Sequence, residues 1–449
     1  MTGLTVRHRL VEHSVTGRYG LMFGLGALFA VVGIAGFLLA LSQGQADRAW
    51  HLFHVNWLYF TGLAGGSVAL AAVHKVANAK WSGVILRFAE AAVAFFPISF
   101  IAFLLIFFVG YDHIYPDFHG LGHGKELWLS FPWMVGRLAV GLIALFLLGW
   151  AFVRADLLPD VHEAQASVSG SRRQRYLRMA EAYDDTPETR TGHEVKIHRL
   201  APVYILAYVI VFSVLAFDGI MALQPHWFSN LLGGFYFMGS FLGAHMLLAL
   251  LVFYAGRQTG VGILISPKQR HDLGKLCFGF TVFWAYLMWA QFLVIWYGNL
   301  PEETGFVFAR LWGPWLPVGK AVFVGLFLIP FFGLLGVAPK KFPLTLSLFS
   351  TISLTALWLE RYLLVMPSVT QEFGPVVGLP EVSTTLAFLG LFLFAYAVFA
   401  RTYPMVSPRL AEVTLARETH HETIEYEHEE AAEDYVSEEI IEHDLYPEQ

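Results

Sequence analysis

Cysteine is almost absent from this 449-residue chain: Cys277 stands alone. A disulfide framework, a thiolate zinc site and an iron–sulfur cluster each need several sulfurs, so the chain builds none of them by itself. No CxxCH segment occurs, which excludes covalent haem attachment. Charge is scarce as well, at 14% Asp, Glu, Lys and Arg against about 25% in a soluble globular protein. That shortage excludes a soluble enzyme, a disordered chain and a nucleic-acid binder. What fills the sequence is apolar: 56% hydrophobic residues, with 40 Phe and 13 Trp.

Ten apolar stretches are long enough to cross a bilayer at about 20 residues each. They cover 21–41, 52–74, 81–109, 131–153, 202–223, 232–255, 275–297, 317–336, 343–365 and 383–400. The first has no small-residue cleavage site after it and reads as a membrane helix, not a signal peptide. Lipid leaves only helices and closed barrels as spanning structures, and the stretches lack strand alternation. The fold class predicted is an all-α polytopic membrane protein with ten transmembrane helices. With both termini on one side, 22 of the 29 Lys and Arg fall on the terminus side, three on the other and four within the spans. The positive-inside bias therefore puts the termini and the loop 154–200 in the cytoplasm. The basic run Ser171–Arg178 within that loop suits orientation and lipid head-group contact.

The second and sixth stretches share Tyr-Phe-x-Gly-x3-Gly, at Tyr59–Gly66 and Tyr236–Gly243. A Gly and a base follow a Pro on the fourth and eighth (Gly136-Arg137, Gly319-Lys320). An acid precedes a Pro by seven residues on the fifth and ninth (Asp218, Glu360). GxxxG alone is a common packing device, but the ordered set predicts a parallel repeat of two four-helix bundles with two flanking helices. The expected units are a cytoplasmic segment 1–20, a first flanking helix and loop 21–51, bundle one 52–223, bundle two 224–365, a last flanking helix 366–400 and a tail 401–449. Within the tail, residues 412–449 hold 14 acids against one Arg and are expected to dock on a partner.

Seven charged residues lie inside the spans: Arg87, Glu90, Arg137, Asp218, Lys320, Glu360 and Arg361. Each costs about 2.5–3.5 kcal/mol at the bilayer centre, so each needs a reason. The repeat pairs Arg137 with Asp218 and Lys320 with Glu360 near the non-cytoplasmic edge, with Arg361 the alternative partner of Glu360. Arg361 is expected to point about 100° away from its neighbour. Arg87 and Glu90 share one face at i,i+3 near the cytoplasmic end. His245 sits mid-membrane, with His74 at the cytoplasmic end of the second helix. Carboxylates near both surfaces with a histidine between them suit a proton path; buried pairs and a packed histidine can equally be architectural. His54, Asn56, Asp218 and Gln291 form an outer polar layer suited to a quinol head. Haem b needs two facing histidines, and only His245 is central. No metal site is expected.

The stretch His271–Thr304, with Phe217–Phe228, Leu359–Ser368 and His54–Ser67, resembles the membrane subunits of alternative complex III, in the NrfD/PsrC-like superfamily. The resemblance covers about 20–400. The N-terminal VRHRLVEHSVTGRYG is similar to the ActF-like rather than the ActC-like of the two subunits. The resemblance implies a bacterial inner-membrane subunit of a quinol:cytochrome c-type oxidoreductase. Its expected partners carry iron–sulfur clusters and c-type haem, alongside a second NrfD-like subunit, lipids and a terminal oxidase, and no nucleic acid. No cofactor is expected on this chain; quinol or menaquinol is the expected small molecule of the complex. A proton-path role is the leading expectation and the quinol-oxidising subunit the alternative. A structural anchor and a secondary transporter follow, the latter disfavoured because Gly/Pro interruptions sit mostly at the ends of the stretches.

Overall fold

The computed structural model describes residues 10–417 except 13, 16, 182, 258–261 and 371–373. Among these residues there is no strand, and ten helices are long and apolar enough to cross a membrane. They are α1 (Gly20–Ser42), α2 (Ala46–Val76), α3 (Leu86–Phe108), α4 (Phe131–Ala164), α5 (Pro187–Leu223), α6 (Leu231–Gly256), α7 (Pro267–Gly298), α8 (Gly313–Gly333), α9 (Pro343–Val369) and α10 (Leu379–Thr402). Of the tail 412–449, for which docking was expected, residues 412–417 are helical and 418–449 lie outside the described residues.

Several helices outrun their apolar stretches. α4 continues to Ala164, a short helix spans Gly170–Ala180, and α5 starts at Pro187. The segment 154–200, read from hydropathy as a loop, is thus mostly helical. Charged residues end a hydropathy window without ending a helix. Local chemistry sets the true starts. Thr186 and Ser266 cap α5 and α7 by accepting from the third residue onward, Thr189 N at 3.3 Å and Gln269 N at 3.1 Å, and Pro stands next in each.

Interruptions also fall inside spans, contrary to the expectation that they sit at the ends. α3 tightens to a 3₁₀ stretch at Ala91–Phe95, where Pro97 offers no N–H to the preceding turn. α8 carries a π-turn at Val324–Leu328.

Burial sorts the helices. The apolar window of α2 is 94% buried and that of α6 83%, against 22% for α1 and α7. α2 and α6 therefore form the centre, packed on each other and on α5 and α9. Small residues permit this: a Cβ on Gly66 would lie 2.6 Å from Ser240 O. α1 and α10 are in backbone contact along their length. A Cβ on Gly33 would meet Ala387 N at 2.2 Å, and one on Gly390 would meet Ala30 N at 2.1 Å. α10 in turn packs on α2 and α3. We call the side where α1 begins and α10 ends the terminal face; Met405 N donates to Ser14 O there (3.0 Å).

Candidate functional site

Two layers of buried charge stand out, one at each end of the helices. At the terminal face, α2, α3, α4 and the segment after α10 converge on Lys75, Arg87, Glu90, Asp156, Asp160 and Arg409. Asp156 and Asp160 are spaced i,i+4 on the extension of α4, so both point the same way. Arg87 Nη2 donates to Asp160 Oδ2 at 2.6 Å and to Asp156 Oδ2 at 3.0 Å. Lys75 Nζ meets Asp156 Oδ1 at 2.5 Å, and Arg409 reaches the same oxygen at 3.3 Å. Ser407 Oγ donates to Asp160 Oδ1 at 2.8 Å. Three cations thus face three acids, and the network is neutral as a unit. The six residues are buried except Lys75 and Arg409, which are half-buried.

Glu90 is the under-satisfied member. Arg87 Nε stands 3.2 Å from its Oε2, yet neither Glu90 oxygen finds a donor in hydrogen-bond geometry. It is also the last α-helical residue before the 3₁₀ stretch of α3. A cleft of about 230 Å³, lined by Asp160, Glu163, Asp185, His193, Glu194 and Arg409, reaches the network from the terminal face.

The expected pair Arg87–Glu90 is therefore part of a larger assembly. Its connection to His245 is looser. The Leu86–Glu90 turn packs against α6. His245 itself hydrogen-bonds along its own helix, Nδ1 to Phe241 O at 2.8 Å, between the rings of Phe241 and Phe280. His74 Nδ1 meets Ser82 Oγ at 2.9 Å.

Toward the opposite face, Arg137 and Asp218 meet as the spacing anticipates, with Nε–Oδ2 2.7 Å and Nη2–Oδ1 2.6 Å. Trp128 lies under the guanidinium at 3.9 Å and its carbonyl accepts from Nη1. The second half departs from expectation. Lys320 is exposed on α8, and no ion pair to it occurs among the described residues. Its neighbour Gly319 is the residue packed inward, against Arg310 O and Leu363, so Lys320 lies about 100° round the helix. Glu360 takes the alternative partner, adjacent Arg361, with Oε2–Nη1 2.7 Å. Arg361 does not point away: it is 1% exposed, stacks over Tyr236 at 4.3 Å, and donates from Nη2 to Tyr236 O and Ser240 Oγ.

The outer polar layer divides. His54 Nε2–H donates to Gly219 O (2.6 Å), next to Asp218, and its Nδ1 is buried without a partner. Asn56 accepts from Trp358 Nε1 at 2.9 Å and donates to Leu52 O. Gln291 is elsewhere, in a cavity of about 130 Å³ between α7, α8 and α9 that it lines with Glu360, Trp284 and Arg310. These four residues do not form one site.

Sequence reasoning missed Asp156, Asp160 and Arg409, and also Arg310. Arg310 is 4% exposed, stacked on Phe306 at 3.3 Å, and bonded to Phe306 O, Leu364 O and Ser368 Oγ, and no ion pair to it occurs among the described residues. Burial drives its guanidinium well below its ordinary proton affinity. The Asp-x3-Asp spacing was the signal available for the α4 acids. Among the described residues no group of three or more His, Cys, Asp and Glu is arranged to hold a metal. No protein-family model matches the chain, and no curated protein is similar to it.

Proposed function

We propose that this chain is a proton-path subunit of a bacterial respiratory quinol:electron-acceptor oxidoreductase of the alternative complex III kind, ActF-like, seated in the inner membrane with its terminal face cytoplasmic. The observation that carries the reading is Glu90. It is a fully buried carboxyl, short of hydrogen-bond donors, beside a cluster of three cations and two acids and close to a cleft from the terminal face. Ionisable groups at this depth are costly and mark ion or proton routes by default. Protons enter past Asp160 and Arg409 to Glu90, and pass by His74 and His245 toward Asp218 and Glu360. Redox centres belong to partner subunits, with iron–sulfur clusters and c-type haem.

In this reading the architecture is two four-helix bundles, α2–α5 and α6–α9, repeated in parallel. Helix contacts support it: α6 against α5 mirrors α2 against α9, about the central α2–α6 pair. The alternative, the quinol-oxidising subunit, draws support from His54, whose Nδ1 is buried without a partner while Nε2 bonds Gly219 O, next to Asp218.

The test is purification of the tagged full chain from its own membranes in mild detergent. Co-purifying polypeptides with c-type haem absorbance and iron–sulfur EPR signals are expected. A chain that purifies alone and colourless contradicts the assignment.

A further inference from the structure

The chain after α10 supplies the third cation of the terminal-face network, and it holds that cation loosely on a firm base. Ser407 and Pro408 start a helix at 408–417. Ser407 Oγ accepts from Leu410 N at 3.4 Å, and Pro stands in the first turn, where no N–H is needed. The same hydroxyl donates to Asp160 Oδ1. The helix rests on the loop between α2 and α3. Thr414 Oγ1 lies 2.7 Å from Lys80 O and accepts from Gly83 N at 3.1 Å, and a Cβ on Gly83 would lie 2.3 Å from Leu410 O. The backbone is thus anchored at both ends, and the Arg409 side chain is the part that can move.

Arg409 stands between two acids at different depths. Its Nη2 is 3.3 Å from Oδ1 of Asp156, which is 1% exposed, and its Nη1 is 3.9 Å from Oε1 of Glu194, which is 62% exposed on the cleft wall. Both distances exceed the about 2.7–2.9 Å of a tight charge-assisted bond, and its Nε is buried without a partner. The inner acids keep other donors on both oxygens: Lys75 and Arg87 on Asp156, Ser407 and Arg87 on Asp160. Withdrawal of Arg409 therefore removes mainly a charge. Two cations, Lys75 and Arg87, then face three acids, Glu90, Asp156 and Asp160. A net buried charge is expensive, and one proton cancels it. Glu90 is the carboxyl to take that proton, because neither of its oxygens has a hydrogen-bond donor. The cleft around the outer position also carries Glu163, Tyr183, His193 and the ion pair Asp185–Arg190. With Glu194 they leave its walls net acidic, which suits an outward guanidinium.

We propose that Arg409 is a positioning residue that gates the cleft by exchange. Its guanidinium swings from Asp156 out to Glu194 as one proton from the terminal-face solvent binds Glu90, and swings back as that proton leaves. The inner network stays neutral in both states. The exchange rests on the proton-path reading of Glu90.

The test is an infrared titration of the purified full-length protein, reconstituted in nanodiscs with whatever subunits accompany it. The Glu90 signal is the protonated-carboxyl C=O band lost in Glu90→Gln, and its midpoint is read against pH. Arg409→Gln removes the charge permanently and raises the midpoint by about one pH unit or more, a tenfold gain in proton affinity; Arg409→Lys keeps it where it was. Glu194→Gln removes the outer resting place and lowers the proton affinity of Glu90 about two- to fivefold, the strength of an exposed ion pair. In the Arg409→Gln background Glu194→Gln shifts nothing, because its effect runs through the guanidinium. A Glu194→Gln shift of equal size in both backgrounds overturns the gate, as does a midpoint indifferent to Arg409→Gln. Should Arg409→Gln not fold, Glu194→Gln alone decides, and an unchanged midpoint overturns the gate. If Glu90→Gln loses no titrating band, the proton-path reading falls and the gate with it. A Glu90 band that titrates without regard to Arg409 and Glu194 removes the gate alone.

Discussion

Arg137 on α4 and Asp218 on α5 form a two-point ion pair, with both carboxylate oxygens engaged at 2.6–2.7 Å and Asp218 fully buried. A planar guanidinium matches a carboxylate in this way and a lysine does not. The pair joins two helices that also meet toward the terminal face, where His193 bonds Ala155 O.

Replacing one partner is expected to cost far more than replacing both. Arg137→Met strands a buried carboxylate and should destabilise by about 3–5 kcal/mol. The double variant Arg137→Met/Asp218→Leu should recover most of that loss. Thermal unfolding in one detergent, run as a double-mutant cycle, measures it. Equal destabilisation by the single and double variants contradicts the pair's role.

The α1–α10 contact leaves no room for a side chain at Gly33. Gly33→Ala drives a Cβ into the backbone of Ala387 and should cost about 1–3 kcal/mol by overpacking. Gly24 lies on the same helix with nothing within 4 Å of a built Cβ, and Gly24→Ala should be neutral to within about 0.5 kcal/mol. The difference between the two unfolding midpoints is the readout, since helix propensity is common to both.

The turn before α5 is expected to loosen in acid. Hydrogen bonds from Arg190 hold Asp185 below the ordinary carboxylate range, and those from Thr189 and Thr186 do the same for Asp184. A carboxyl depressed on folding stabilises above its unfolded value and loses that contribution as pH falls through the folded one. Both groups sit near solvent, so the effect is local. Amide exchange at Arg190, whose N–H bonds Thr186 O at 2.9 Å, should speed up below about pH 4 relative to helix-core amides. An unchanged ratio from pH 7 to pH 3 contradicts this.

The ten spans and the Arg137–Asp218 pair were legible because apolar length and an acid–base pattern are local signals. The terminal-face network was not. Asp156 and Asp160 lie beyond the apolar window of α4, and their partners Lys75, Arg87 and Arg409 come from three other segments. Arg361 was misread because helical angle alone ignores reach: a long side chain can fold back on its neighbour and still bond Tyr236 O across the α6 interface. Lys320 was misread because the Gly-base motif does not say which of its two residues packs inward. Arg310 gave no signal, as a lone cation between two apolar stretches normally meets water.

The account rests most heavily on Glu90 as a proton-carrying group, and Glu90→Gln keeps its shape while removing the titratable oxygen. The decisive measurement is protons translocated per electron in proteoliposomes containing the intact complex. Translocation is expected to fall to background while electron transfer from quinol continues. Unchanged translocation at an unchanged electron-transfer rate makes Glu90 a structural residue and contradicts the account.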